Sequence, residues 1–146
     1  MRSKHALATV LGVAVIALSG AAHAQGDVSI SIARHAQFTV DGQVIIRVHI
    51  ACDPLPGIEE FQEAFAGGVQ RKTGAAAETG IEGTVVCDGL ARTHTARFSS
   101  QNEFVFKRGP ASASASLVVC NTVGTEQVCQ QGNTSQQIVI RGRLVP

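Results

Sequence analysis

Residues 36–52 read AQFTVDGQVIIRVHIAC. In the second half Val44, Ile46, Val48, Ile50 and Cys52 fall at every other position, with Gln43, Ile45, Arg47, His49 and Ala51 between them. Successive side chains of a strand point to opposite faces, so this strict period of two puts one apolar row against a core. In the first half Phe38 and Val40 alternate with Gln37 and Thr39. Asp41-Gly42 between the halves predicts a tight hairpin turn in which both residues take positive φ. Cys52 shares the apolar face, so this strand is expected to tie two sheets together.

On the N-terminal side, Asp27–Ala33 (DVSISIA) alternates Val28, Ile30 and Ile32 with Ser29 and Ser31, as a strand with one wet face does. Arg34-His35 interrupts it, and the chain is expected to bend or change sheets there. Further upstream, Arg2 and Lys4 precede the apolar run Ala6–Leu18, Ser19-Gly20 breaks it, and Ala22-His23-Ala24 fits a small-x-small cleavage site. That three-part layout is a secretory signal peptide, with cleavage between Ala24 and Gln25. The run is too short to span a bilayer, which needs about 20 residues. Residues 1–24 are therefore assigned to the signal peptide and 25–146 to a single folded domain.

On the C-terminal side, Asp53-Pro54-Leu55-Pro56-Gly57 is a loop that no helix or ladder crosses. In Ile58–Arg71, the spacing of Ile58, Phe61 and Phe65 suits a short helix, while Phe61, Phe65 and Val69 share one face of a strand. The neighbouring segments all have strand character, and the strand reading is taken. Residues 73–80 (TGAAAETG) form a weak connecting segment. Gly80–Cys87 and Ala91–Ser99 have strand character, divided by the turn signal Asp88-Gly89. Phe104 and Phe106 flank a short extended piece. Ala111–Cys120 (ASASASLVVC) turns Ala113, Ala115, Leu117 and Val119 inward, and its small alanines imply close approach of another layer. Asn121–Glu126 turns, a loop closes near Gly132-Asn133-Thr134, and Gln136–Leu144 is the last strand. Roughly seven to nine short strands separated by turn signals predict an all-β antiparallel β-sandwich.

All four cysteines, Cys52, Cys87, Cys120 and Cys129, follow the cleavage site. An even count in an exported chain implies disulfides, and four cysteines allow three pairings. Zinc is the competing reading, but no C-x-x-C or H-x-x-x-H spacing is present. Cys52 and Cys87 each end a strand and precede Asp, which pairs them. Cys120 and Cys129 flank one turn and pair locally.

A strand ending in Cys52, an extended segment, then Val86-Cys87-Asp88-Gly89, two further strands and a late cysteine pair resemble small secreted bacterial immunoglobulin-like domains of unknown function. The resemblance covers Val28–Leu144. It implies the fold and transfers no catalytic residue. There is a looser likeness to secreted chromoprotein carriers, which are immunoglobulin-like with two disulfides. Their first bond is local, whereas Cys52–Cys87 is long-range.

Candidate chemistry is sparse. His49, Cys52 and Asp53 are close in sequence, but His49 and Cys52 have opposite strand parity and point to opposite faces. His94 keeps company with Ala96 and Phe98, and His35 sits at the bend. Asp53, Glu59, Glu60 and Glu63 make a local acidic cluster that reads as a solvated face. Asn133-Thr134-Ser135 matches a glycosylation sequon by chance. No nucleophile elbow or phosphate loop occurs. Removing Arg2 and Lys4 from the 12 basic side chains leaves them nearly matched to the 11 acidic ones, which argues against nucleic acid. With no Trp and no Tyr, an aromatic recognition surface is poorly supplied, and the six Phe fall mostly at core parities. Arg47, Arg97, Arg141 and Arg143 remain as possible anchors.

These readings lead to an exported, non-enzymatic interaction or structural module of the bacterial envelope. No cofactor, metal or catalytic residue is assigned. The expected partner is another protein or an envelope component, with no nucleic acid and no membrane span in the mature chain. One alternative is a small-ligand carrier with a cleft between the sheets near Gly67-Gly68. Another is a small hydrolase or thiol enzyme around His49, Asp53 or His94.

Overall fold

A computed structural model describes residues 27–143, so the signal peptide and its Ala24–Gln25 cleavage site lie outside the described residues. The chain forms eight strands: β1 (Val28–Ile32), β2 (His35–Phe38), β3 (Val44–Cys52), β4 (Ile58–Gln70), β5 (Ala75–Gly80), β6 (Arg92–Phe98), β7 (Gly109–Val123) and β8 (Glu126–Arg143). Hydrogen bonding follows the order β1-β3-β2-β8-β7-β4-β5, with β6 on the other edge of β3. One layer is therefore β1-β3-β6 and the other β8-β7-β4-β5. These are the A-B-E and G-F-C-C′ orders of an immunoglobulin-like sandwich.

The bend at Arg34-His35 joins the layers. Before it, β1 pairs antiparallel with β3; after it, β2 pairs antiparallel with β3 and parallel with β8. The Arg34 carbonyl accepts the Val139 N–H at 2.9 Å, which continues that seam. Val44, Ile46, Val48, Ile50 and Cys52 are all at most 2% exposed and face the four-stranded layer. Burying each large aliphatic side chain contributes about 1.5–3 kcal/mol. From the other layer Ala111, Ala113, Ala115, Leu117 and Val119 close the core. Gly68 lets the layers approach closely, because a Cβ there would lie 3.1 Å from Cζ of Phe98, tight enough to press on that ring. Phe98 in turn meets Phe106 edge to face at 5.5 Å.

Several expectations are corrected. The β2–β3 connection is a longer loop with positive φ only at Gly42, and Val40 lies in it rather than in the strand. Thr39 holds that loop: its carbonyl accepts the Gly42 N–H, its N–H reaches the Gln43 carbonyl, and its hydroxyl accepts the Gln43 N–H. Residues 75–80, read as a connector, are β5, recruited by an antiparallel ladder from Phe65↔Gly80 to Gln70↔Ala75. The piece around Phe104 and Phe106 is loop, and only Phe106 of the two is buried. The 121–126 turn shrinks to Gly124-Thr125, with Val123 opposite Glu126 and Gly124 at φ 62°. A glycine first in a two-residue loop matches the twist of the strands it joins. No loop occurs at 132–134, because β8 is continuous there against β7.

Gly80–Cys87 is the most informative correction. Its alternation is real, but it enters no ladder after Gly80. Gln62 takes the place of a neighbouring strand: its Nε2 donates to the Val85 carbonyl at 2.7 Å and its Oε1 accepts the Val85 N–H at 3.0 Å. The same device recurs twice. Gln70, 1% exposed, pairs with both backbone groups of Lys107, each at 2.8 Å. Gln101 pairs with both of Glu78, at 2.8 and 3.0 Å, and covers part of the free edge of β5. A primary amide carries a donor and an acceptor side by side, so it satisfies one residue's backbone as a strand would. Loops are thereby docked onto sheets without ladder partners, and buried backbone groups stay paired.

The disulfides complete the frame. Cys52 bonds Cys87, and Cys120 bonds Cys129, its directly opposed neighbour in the β7–β8 ladder. No cysteine is free among the described residues. The first bond fastens residues 81–91 under β3, where the Gly89 N–H also reaches the Cys52 carbonyl at 2.9 Å. Two disulfides fit an oxidising compartment. Among the described residues no helix is long and apolar enough to cross a membrane.

Candidate functional site

The outer face of β5-β4-β7-β8 collects the surface features that the core does not explain. On β4 the inward side chains are Ala64, Ala66, Gly68 and Gln70, so Phe61, Glu63, Phe65, Gly67 and Val69 take the outer parity. Phe61 is 42% exposed, Phe65 38% and Val69 50%. The register sets them opposite Cys120, Ser116 and Ser112 of β7, and the pairing β7–β8 then brings in Asn133 beside Ser116 and Gln137 beside Ser112. An apolar row thus borders a broad field of small, uncharged polar groups. Gln137 donates to the Ser112 hydroxyl at 2.8 Å, which orders that field.

Two shallow recesses lie on this face. One, of about 270 Å³, is bordered by Phe65, Glu78, Ser114, Ser116, Asn133 and Ser135. The other, of about 340 Å³, is bordered by Val69, Arg71, Lys72, Pro110, Ser112 and Gln137. Within the face the charged side chains are Glu63, between Phe61 and Phe65, and Glu78, opposite Gly67 on β5; further charges stand at its ends. Glu60, displaced at the bulge between Glu59 and Phe61, accepts the Thr122 hydroxyl at one end, near Glu63. Arg71 and Lys72 occupy the other end, past the last residue of β4.

The residues singled out from the sequence do not converge. His49 lies on the outer face of the three-stranded layer, where Nδ1 and the Thr93 hydroxyl are 2.9 Å apart. His94 pairs with Val48 and has inward parity, with Nε2 buried and unpartnered among the described residues. Asp53 accepts the Asp27 N–H at 3.2 Å. Cys52 is oxidised and buried, and His35 is exposed on β2. The acidic cluster is divided, since Glu59 borders a different recess from the face that carries Glu60 and Glu63. Arg97 pairs with Glu82 at 3.5 Å across the exposed surface of β6, and Arg47 stands exposed on β3. Arg141 is exposed near the end of β8. Asn133-Thr134-Ser135 is mid-strand in β8. Near Gly67-Gly68 the sheets are in contact, because the Phe98 ring occupies the space above Gly68.

The recess at Glu59 measures about 230 Å³ and is walled by Pro54, Leu55, Val85, Val119 and Asn121. Asn121 donates to the Leu55 carbonyl at 3.2 Å and Gln130 to the Asp53 carbonyl at 2.7 Å, which pins the 53–57 loop. Next to it, Arg92 forks onto Asp88 with both N···O distances 2.6 Å. That hydrogen bond, with a further one from the Leu90 N–H, lowers the Asp88 carboxyl to about 2 and raises Arg92. Arg92 also donates to the Val86 carbonyl at 3.3 Å, so the pair clamps the chain around Cys87.

Sequence reading missed the outward row because Phe was assigned to core parity. The available signal was Glu63, which shares the parity of Phe61 and Phe65 and marks that face as wet. Of the six Phe, Phe98 and Phe106 are the buried ones. Comparison with known family models, curated proteins and solved structures finds no match.

Proposed function

We propose that this protein is an exported, non-enzymatic interaction module of the bacterial envelope that works through the outer face of β5-β4-β7-β8. The carrying observation is the row Phe61, Phe65 and Val69, held 38–50% exposed on a sheet braced by a cross-strand disulfide. Exposed apolar side chains lined up on a rigid face, with polar groups between and around them, are what a protein partner covers. The uncharged Ser, Asn and Gln field beside the row suits close apposition, since it has little charge to desolvate. Export to the periplasm or medium is supported by the N-terminal leader pattern and by two disulfides.

The test is photo-cross-linking in the exporting cell, with a photoreactive phenylalanine analogue at position 65. Discrete adducts are expected there, and none from the same group at Ser31 on the opposite layer. Absence of adducts at 65, or equal adducts at both positions, would overturn the reading.

A further inference from the structure

The four-stranded layer ends in β5 on one side and β8 on the other, and the two edges are finished differently. Residues 101–102 occupy the β5 edge. Besides the Glu78 pairing, the Gln101 N–H donates to the Ala76 carbonyl at 2.9 Å and Asn102 donates to the Gly74 carbonyl at 2.8 Å. On β6 the Thr95 carbonyl accepts the Glu82 N–H at 2.8 Å. The far edge of β8 carries β2 only from Val139 onward. The Val139 N–H reaches the Arg34 carbonyl on that side. Backbone groups of a strand alternate between its two edges, and the β7–β8 register runs without a break from Glu126 to Ile140. The N–H and C=O of Cys129, Gln131, Asn133, Ser135 and Gln137 therefore point to the open edge. Among the described residues they find no backbone partner.

An edge of this length is ordinarily blunted by Lys, Pro or a bulge. Gln127–Ile140 contains no charged residue, no proline and no register shift. Behind the edge, Val28 of β1 lies over Gly132, where a Cβ would come 2.7 Å from Val28 Cγ1. Val28 and Ile30 are partly buried, and the inward-facing Gly132, Thr134 and Gln136 keep partial exposure. Unpaired backbone and apolar surface thus meet on one flank, and one more strand would cover both.

We propose that the β8 edge from Cys129 to Gln137 takes up an extended segment of a partner protein by strand addition. The site is separate from the Phe61, Phe65 and Val69 row and is carried by the backbone. An antiparallel segment is expected, that pairing being slightly the more stable. Its residues bonded to β8 face outward beside Gln131, Asn133 and Ser135, which suits uncharged polar side chains. The alternate residues face inward toward Val28 and Ile30, which suits Val or Ile. A second β8 would bring Gln130, Gly132, Thr134 and Gln136 there, none of them a large apolar residue, so the occupant is a different sequence. Main-chain bonds supply affinity and the alternation supplies selectivity.

The experiment is amide hydrogen exchange by NMR on the exported, disulfide-intact protein. The probe is a capped peptide of about nine alternating Thr and Val residues with Lys at each end. Without it, the amides of Gln131, Asn133, Ser135 and Gln137 should exchange at least ~100-fold faster than those of Gln130, Gly132, Thr134 and Gln136, which are bonded to β7. With the peptide at ~1 mM they should slow ~10-fold or more. N-methylation of the peptide's Thr residues removes the N–H groups that face β8 and should abolish the slowing; N-methylation of its Val residues should not. Ser135→Pro removes an edge donor that takes no part in the ladder, so the fold is kept and binding should weaken ~10-fold or more. Melting temperature checks the fold, and the methylated peptides on wild type carry the test if that variant fails to fold. Edge amides already protected in the dilute free protein, no slowing with the peptide, or slowing that survives Thr methylation each overturn the proposal. Protection that rises with protein concentration alone gives the edge to a second copy and overturns it too. The cross-link at position 65 reads a different surface, so the two readings fail separately.

Discussion

Opening the two disulfides separately should damage the molecule unequally. The informative variants are the pairs Cys52→Ala with Cys87→Ala, and Cys120→Ala with Cys129→Ala. Alanine avoids burying a hydroxyl at Cys52, which is 1% exposed. The two bonds span sequence separations of 35 and 9. In the chain-entropy treatment these constrain the unfolded state by about 3.8 and about 2.6 kcal/mol respectively. The native state adds to the difference. Cys120 and Cys129 remain opposed in a continuous ladder when their bond is absent. Residues 81–91 have no ladder, and beyond scattered hydrogen bonds at Ile81, Glu82, Val85, Val86 and Gly89 the Cys52–Cys87 bond is their covalent tie to the sheets. For a domain of this size 1 kcal/mol corresponds to about 4 °C in Tm. The first pair should therefore melt about 15 °C below wild type and the second about 10 °C below. Calorimetry on the oxidised proteins reads both values. Equal losses, or a larger loss for the local bond, would refute the reasoning.

Three further outcomes follow from the fold. Gln62→Leu leaves the N–H and C=O of Val85 without their amide partner, and Val85 is 2% exposed; a loss of about 1–3 kcal/mol in urea titration is expected, with faster exchange at the Val85 amide. Gly67→Ala places a Cβ 2.3 Å from the Ala77 carbonyl oxygen, so β5 must shift and the variant should lose at least about 1 kcal/mol, read by the same titration. Asp88 is ordinarily ionised above 3.8 but stays ionised in the fold down to about 2, so its pairing with Arg92 stabilises fully above pH 3.8 and is lost as pH falls through 2. Stability profiles of wild type and Asp88→Asn should accordingly converge over that acid window, and parallel curves would contradict the assignment.

Much of the architecture is legible in the chain because burial imposes period two. The alternation at Val44–Cys52 could only be one face of a strand, and the interruption at Arg34-His35 does mark the change of sheet. Segments went astray where the deciding partner lies far away in sequence. The alanines of β5 have weak strand preference, and its ladder with β4 overrides that. Val85 alternates like a strand residue, but its backbone is claimed by a side chain 23 positions earlier, which no local pattern reveals. Gly132-Asn133-Thr134 looks like a turn, but Asn133 faces out opposite Ser116 while Gly132 faces in, where a Cβ would lie 2.7 Å from Cγ1 of Val28, a neighbour from the far end of the chain. The candidate face was hidden for the converse reason. Phe61 and Phe65 are as apolar as core residues, and Glu63 at the same parity is the local sign that this side of β4 meets solvent.

Whether the Phe61, Phe65 and Val69 row is covered where the protein works can be measured by hydroxyl-radical footprinting. The exporting cells are labelled in parallel with the purified protein at high dilution, and oxidation is read residue by residue. Leu90 and Val105, exposed outside this face, serve as references. The expected result is protection of Phe61, Phe65 and Val69 in the cell, with Leu90 and Val105 unchanged. Equal oxidation of the row in both samples would contradict a partner-binding face.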